Sequence, residues 1–124
     1  MKLFAIEFKA GAPVYEQVLY AARKAIISGE LRPGDPFPSV RALSAEYRIN
    51  PNTVQKALTA LKHEGLIESL PGVGNRVCEV PRSTAQQRGE LLAEHLEDVV
   101  IRAKQLGLSL DEVIEGLRNH WKNL

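Results

Sequence analysis

Cysteine, aromatic residues and long apolar runs are all scarce in this chain of 124 residues. Its single cysteine, Cys78, can form neither an intramolecular disulfide nor a thiolate metal cluster, and the valines on both sides of it, Val77 and Val80, predict a small buried hydrophobe. No apolar run approaches the roughly 20 residues of a membrane-spanning helix, and the first residues lack the apolar core of a signal peptide. We therefore expect a cytoplasmic protein with no membrane partner.

The net charge is also small, at a formal +1. Residues 1–80 hold ten Lys or Arg against eight Asp or Glu, and residues 81–124 hold six against seven. So mild a balance does not by itself indicate nucleic acid as a partner, and the partner must be inferred from local patterns. The 44% of hydrophobic and 25% of charged residues are typical of a globular domain, with or without an appendage.

Patterns for catalysis, metal binding and cofactor binding are also missing. The three histidines lie far apart in the sequence and match no metal-ligand spacing. No Ser–His–acid or Cys–His set can be assembled, and the glycines at 72 and 74 are not followed by the Gly-Lys-Ser/Thr of a nucleotide-binding loop. We predict no enzymatic activity, no metal site and no cofactor.

The spacing of apolar residues changes along the first forty residues. Residues 4–9 alternate apolar and polar, which predicts a short strand or an extended arm. From Val14 the period becomes helical, and Gly29 stands where the C-terminal cap of a first helix belongs. Residues 31–39 (LRPGDPFPS) hold three prolines and a glycine, which predict a loop, and Ser39 can then cap a short second helix.

The stretch RINPNTVQKALTAL predicts a third helix with a polar entry. Asn50 is a good N-cap, and Pro51 suits the first helical position because no amide donor is missed there. The helix should end near Gly65. Only about three residues separate it from the second helix, so the two must cross steeply, as in a helix-turn-helix. Its inward face is formed by Val54, Ala57, Leu58 and Leu61.

Two strand-like runs follow, LIESL and NRVCEV, joined by PGVG. They predict a hairpin whose two glycines can adopt positive φ. Three helices followed by a hairpin is the order of a winged helix, which would occupy roughly residues 12–79. The predicted fold class is therefore mostly α with a small β-hairpin, an N-terminal winged helix-turn-helix followed by a two-helix C-terminal hairpin.

The C-terminal region predicts a dimer interface. Residues 81–85 read as a hinge, and apolar residues then recur in steps of four and three, a narrow coiled-coil-like seam. Gly107 ends that helix, and Ser109 with Glu112 forms a capping box for another. Two short antiparallel helices cannot bury both apolar stripes alone, so a second subunit is implied. The predicted dimerisation residues are Leu92, Leu96, Val99, Ala103, Leu106, Val113, Leu117 and Trp121.

These boundaries assign residues 1–80 to a winged helix-turn-helix DNA-binding domain with an N-terminal arm, and residues 81–124 to a two-helix dimerisation region. A helix N-terminus placed in the major groove points its first side chains at base edges. Asn and Gln can bond adenine, and Lys can bond guanine or phosphate. Between residues 39 and 63 four Lys or Arg oppose the single acid Glu46, enough for a phosphate footprint. The alternative is an ordinary solvated face on a well-capped helix.

Residues 33–77 resemble the DNA-binding domain of the GntR family of bacterial transcription regulators. The resemblance rests on the PGD…PS-R loop, the NPNTV entry to the third helix, the EGLI junction and the G-x-G wing. It implies phosphate contacts at the start of the second helix, base reading in the major groove by the third, and entry of the wing into the minor groove. The predicted DNA-binding residues are Ser39, Arg41, Arg48, Asn50, Asn52, Thr53, Gln55, Lys56, Gly72, Gly74, Asn75 and Arg76.

The sequence departs from the family pattern at three positions, two in this set and one next to it. Gln55 stands where arginine is common, so base preference there should differ. Val73 stands where lysine is common, and Arg76 where a bulky apolar residue is common. Arg76 either restores the missing charge or is only a strand residue, and the sequence leaves both readings open.

Two short helices after a winged helix are similar to the YtrA subfamily, in which this hairpin dimerises. The resemblance implies a homodimeric transcription regulator, a repressor, that binds double-stranded DNA at a pseudo-palindromic operator and controls an adjacent transporter operon. Two alternatives stay open at this stage. One is a winged helix that chiefly binds protein, and the other is a regulator that holds a small-molecule effector of unknown identity in the cleft of the C-terminal dimer.

Overall fold

The computed structural model describes residues 3–124, which form two compact units, one ending at Pro81 and the other beginning at Arg82. The chain is mostly helical with a small three-stranded antiparallel sheet, which confirms the predicted fold class. The first unit holds, in order, α1 (Val14–Ile27), β1 (Pro36–Phe37), α2 (Val40–Tyr47), α3 (Pro51–His63), β2 (Ile67–Leu70) and β3 (Gly74–Val77).

One hydrophobic core joins the helices and the sheet of the first unit. The buried face of α1 packs toward the buried face of α3, and Leu43 of α2 completes the helical layer. Apolar residues spaced three and four apart on each helix make this possible, since they fall on one side of a 3.6-residue turn. The core residues of the three helices are Leu19, Ala22, Ala25, Ile26, Leu43, Val54, Leu58 and Leu61.

The prediction of a plain loop over residues 31–39 was wrong in one respect. Pro36 and Phe37 form a two-residue strand that pairs antiparallel with β3 at Arg76 and Asn75, in the sheet order β1-β3-β2. Phe37 is buried there, and Val77 closes the pairing by donating its N–H to the Asp35 carbonyl at 2.9 Å. The partners lie about forty residues apart in sequence, so no local pattern could indicate the strand.

The N-terminal segment is an extended arm and forms no strand over residues 3–9. Phe4 is 1% exposed, and its ring centroid lies 5.5 Å from that of Phe37. Tyr47, the last residue of α2, donates its hydroxyl to the Phe4 carbonyl. The Gln17 side chain accepts from the Lys9 N–H at 2.6 Å and donates to the Lys9 carbonyl at 3.0 Å, so it fixes the far end of the arm. The arm is therefore part of the packed unit.

Cys78 is only half-buried, whereas the sequence predicted a small buried hydrophobe. It follows β3 and donates its N–H to the Leu66 carbonyl at 2.9 Å, which holds it at the edge of the core. Desolvation raises the pKa of its thiol, and the nearby Glu68 carboxylate raises it further. Both effects favour the neutral thiol over the thiolate.

The second unit contains α4 (Ala85–Glu90), a π-helical turn (Leu91–His95), α5 (Leu96–Gln105) and α6 (Leu110–Asn123). The Leu96 N–H donates to the Leu91 carbonyl, an i→i+5 bond. The seam was predicted on regular α-helical spacing, which the π turn interrupts, because a π turn holds one more residue than an α turn. The capping box predicted at the start of α6 is confirmed by Ser109 and Glu112, with both bonds at 3.1 Å.

Most large apolar side chains of the second unit are exposed. Trp121 is 87% exposed and Leu106 is 75% exposed, and Leu92, Val99 and Leu117 are exposed as well. Among the predicted dimerisation residues Leu96 and Val113 are half-buried and Ala103 is buried. Along residues 3–124 no helix combines the length and apolar character needed to cross a membrane.

Candidate nucleic-acid interface

The entry of α3 is built by its N-cap. The Asn50 Oδ1 accepts from the Asn52 N–H at 2.8 Å, and Pro51 occupies the first helical position, as predicted. The cap satisfies one of the amide donors that a helix start leaves without a partner. Because this bond uses the Asn50 side-chain oxygen, the amino group of the same side chain is the part that can meet an outside acceptor.

The two faces of α3 are separated by burial. Val54, Ala57, Leu58 and Leu61 are buried in the core or against it. Asn52, Gln55 and Lys56 are exposed, and Thr53 is half-buried. The polar side chains of the first turn and a half are therefore held on a helix whose opposite face is fixed by packing. This is the arrangement that a base-reading helix requires.

Gln55 makes only a weak contact with its own helix. Its Nε2 donates to the Thr59 Oγ1 at 3.4 Å, at the long end of a hydrogen bond, while the Thr59 hydroxyl donates to the Gln55 carbonyl at 2.9 Å. The second bond ties Thr59 to the helix backbone and uses no atom of the Gln55 carboxamide. The Gln55 side chain can thus turn to an outside partner with little loss.

Lys56 has a partner that sequence reasoning missed. Its ammonium lies 4.8 Å from the centroid of the Tyr15 ring, near the start of α1, within the range of a cation–π interaction. This contact joins α1 to the exposed side of α3. No signal in the local sequence could have found it, because the pair is brought together only by the packing of the two helices.

The joint between α2 and α3 has the three residues expected, and it contains one unusual backbone angle. Arg48 has φ 53° and ψ 48°, the left-handed region, and within residues 3–124 it is the one non-glycine residue with positive φ. Its N–H donates to the Ser44 carbonyl and ends α2. Glycine or asparagine is the usual residue at such a position, because a Cβ there is strained. The exposed arginine side chain is therefore kept at some loss of stability.

The start of α2 places two further predicted residues. The Ser39 Oγ accepts from the Ala42 N–H at 3.0 Å, which confirms the predicted cap. Arg41 lies in the first turn and is exposed. A helix start with an exposed arginine beside it favours an anionic neighbour such as a DNA phosphate.

The wing is a tight hairpin with a thin tip. The Val73 N–H donates to the Leu70 carbonyl at 3.0 Å around Pro71 and Gly72, and Gly72 has φ 72°, the features of a type II turn. Gly74 follows with φ 118° and begins β3. An added Cβ would meet nothing within 4 Å at either glycine, so backbone conformation is what requires them.

Arg76 pairs with Glu68 directly across β2 and β3. The Arg76 Nη2 donates to the Glu68 Oε1, and the two residues are partners in the strand register. Opposite charges facing each other across two strands stabilise the sheet modestly. Of the two interpretations of Arg76, the geometry favours the strand residue whose charge is balanced locally.

A shallow pocket joins the wing to the start of α2. Its lining includes Ser39 and Phe37 on one side and Leu70, Val73 and Arg76 on the other. The pocket thereby brings Ser39, at the start of α2, to the same surface as Gly74, Asn75 and Arg76 of the wing.

Comparisons with known proteins point to one family. Residues 14–77 match the sequence profile of "Bacterial regulatory proteins, gntR family". The chain is 33% identical to the HTH-type transcriptional repressor YtrA of Bacillus subtilis over 114 residues, which cover 91% of this chain and 88% of that protein. These matches confirm the resemblance to the GntR family and to YtrA. They also confirm the prediction of a transcription regulator that is not an enzyme.

Two solved structures extend the comparison to the fold and to DNA. A transcriptional antiterminator from Listeria monocytogenes matches with a TM-score of 0.81 at 25% identity, over 98% of this chain and 90% of that one. AraR(DBD), solved in complex with operator ORR3, matches with a TM-score of 0.52 at 27% identity, over 63% of this chain and 92% of that one.

Proposed function

The chain belongs to the GntR family of bacterial regulatory proteins, and from this premise we propose that it is a sequence-specific, homodimeric repressor that binds a pseudo-palindromic operator. The observation that carries the proposal is the entry of α3. Its polar side chains are exposed, or half-buried in the case of Thr53, on a helix whose other face is buried, so they can present fixed hydrogen-bonding groups to base edges.

The proposed division of labour follows from position. Asn50, Asn52, Thr53 and Gln55 face the bases. Arg41 and Arg48, both exposed, flank this face and contact phosphate. Phosphate contacts set the register of the protein on the duplex, whereas base contacts select the sequence.

The proposed dimer is supported by the exposed apolar surface of the second unit. Leu106 and Trp121 are the most exposed of the predicted dimerisation residues. Exposure of their apolar surface to water is unfavourable, so burial against a partner would stabilise them. A second copy related by a two-fold axis buries the same surface on both subunits. The dimer then presents two α3 helices to successive major grooves, about 34 Å apart, which is why the operator is pseudo-palindromic.

Base reading is tested by Asn52→Ala and Gln55→Ala, with binding measured across a set of operators that differ by single base pairs. Each variant should lose about 1–3 kcal/mol on its preferred sequence and show relaxed preference at one position of each half-site. Gln105→Ala and Asn119→Ala remove the same side-chain types from exposed positions of the second unit and serve as matched controls. An equal loss of affinity for every sequence would show that Asn52 and Gln55 do not read bases.

Salt dependence separates this function from a protein-binding winged helix. A dimer that neutralises phosphates releases counterions, so the logarithm of the binding constant should fall linearly with the logarithm of salt, with a slope of about −0.9 per phosphate. Arg41→Ala and Arg48→Ala should each flatten that slope by about 1 per subunit while leaving base preference unchanged. Weak binding to duplex DNA with no salt slope would favour the protein-binding alternative.

The regulated gene is proposed from the relatives. YtrA is a transcriptional repressor by name, and we extend that role to this chain. From the resemblance to the YtrA subfamily we further propose that the chain controls an adjacent transporter operon. Such a regulator works in the cytoplasm, where the chromosome lies. The test is protection of the DNA upstream of the neighbouring genes, combined with transcript levels after deletion of this gene. Repression predicts that the transcripts rise, and a fall would identify an activator.

A further inference from the structure

The tip of the wing is apolar and carries no net charge. Val73 is 80% exposed between two glycines that have no side chains. The cation of the same hairpin, Arg76, is paired with Glu68. The hairpin tip therefore presents the branched apolar side chain of Val73 to an approaching duplex. The affinity of the tip for DNA cannot depend on a charged side chain.

The position of the tip indicates which part of the duplex it meets. Val73 and Ser39 line the same pocket, so the tip stands beside the start of α2. If α3 lies in the major groove, the start of α2 meets the phosphates at the edge of that groove. The minor groove begins on the other side of those phosphates. It is about 6 Å wide, and a turn whose Val73 side chain stands between two glycines is thin enough to enter it.

Resting on the proposed function, we propose that Val73 is a specificity-determining residue that disfavours G·C pairs in the minor groove flanking each half-site. An A·T pair shows only acceptors on the floor of this groove, whereas a G·C pair adds the guanine N2 amino donor. The Val73 side chain has no acceptor. When it covers a G·C pair it displaces the water that the amino group was bonded to and leaves that donor without a partner.

The experiment uses the full-length protein and a duplex that it selects from a random pool. At each flanking position, G·C is compared with inosine·C, and A·T with 2,6-diaminopurine·T. Both exchanges change the minor-groove amino group and leave the major-groove groups in place. At the positions under the wing the protein should bind inosine·C at least about fivefold more tightly than G·C, and diaminopurine·T correspondingly less tightly than A·T.

Val73→Thr separates recognition by this side chain from a change in duplex shape. Threonine has nearly the shape of valine, and its hydroxyl can accept a hydrogen bond from the guanine amino group. The difference between G·C and inosine·C should shrink to about twofold or less in this variant. Val80→Thr, at an exposed position of the same unit outside the hairpin, is the matched control and should keep the full difference.

Two results would overturn the inference while leaving the proposed function intact. One is equal binding of inosine·C and G·C at every flanking pair. The other is a preference for inosine·C of the same size in the wild-type protein and in Val73→Thr, since that preference would belong to duplex flexibility. If no sequence is enriched from the pool and binding shows no salt slope, the proposed function fails and the inference falls with it.

Discussion

The two units of this chain use apolar residues in opposite ways. In the first, helices and sheet converge on one core, and side chains such as Leu61 and Val54 are completely buried. In the second, Ala103 is the one fully buried apolar residue among those described, and the leucines and Trp121 are largely exposed. Hydrophobic residues of the same types thus stabilise the fold in the first unit and, in our proposal, the assembly of the dimer in the second. Three substitutions test this contrast.

The largest effect is expected from Leu61→Ala in the core. Removing a fully buried leucine side chain leaves a cavity and should lower the free energy of unfolding by about 2–5 kcal/mol. Chemical denaturation measures it. Leu117→Ala, on the exposed stripe of α6, is the control and should change the unfolding of the first unit little. Equal losses in the two variants would contradict the contrast.

An intermediate effect is expected at the proposed interface. Val99 and Ile101 are β-branched residues of α5, and their side chains are 41% and 57% exposed. Because they lie two residues apart in the sequence, they point to opposite sides of the helix. Val99→Glu places a charge in the proposed seam and should weaken the dimer by about tenfold or more. Ile101→Glu should leave the dimer intact. Light scattering over a dilution series measures both.

If both variants remain dimeric, the seam does not form the interface. If the wild-type protein is itself monomeric at micromolar concentration, the proposed dimer is wrong.

The smallest effect is expected at Arg48, and its sign differs between stability and binding. Arg48→Gly relieves the left-handed backbone, so the free energy of unfolding should rise by about 0.5–1 kcal/mol. The same substitution removes a proposed phosphate contact, so DNA affinity should fall and its salt slope should flatten. Thermal unfolding and salt titrations of the same preparations give the two values. A fall in both would mean that the Arg48 side chain stabilises the fold.

What could be predicted from the sequence was mostly local. The caps at Ser39, Asn50 and Ser109 are each made within three residues of the capping side chain, so the sequence carries the whole interaction. The helical faces followed from spacing in the same way, and the family resemblance supplied the roles of the site residues.

What could not be predicted depended on distant partners or on backbone detail. The strand at Pro36–Phe37 exists because β3 lies beside it, and Lys56 meets Tyr15 only after α1 and α3 pack. The pairing of Arg76 with Glu68 required the hairpin register, which a one-residue slip would change. The roles of individual residues on DNA stay predictions that the substitutions above can test.

The π turn at Leu91–His95 also bears on how this helix can change in evolution. A π turn accommodates one residue more than an α turn, so a single-codon deletion there leaves the helix continuous. A relative without that residue has an α turn there, and the helix on both sides of the turn keeps the directions it has in this chain, while the numbering on one side shifts by one. The seam residues of the two proteins therefore match on both sides of the turn only when the alignment places a one-residue gap within it.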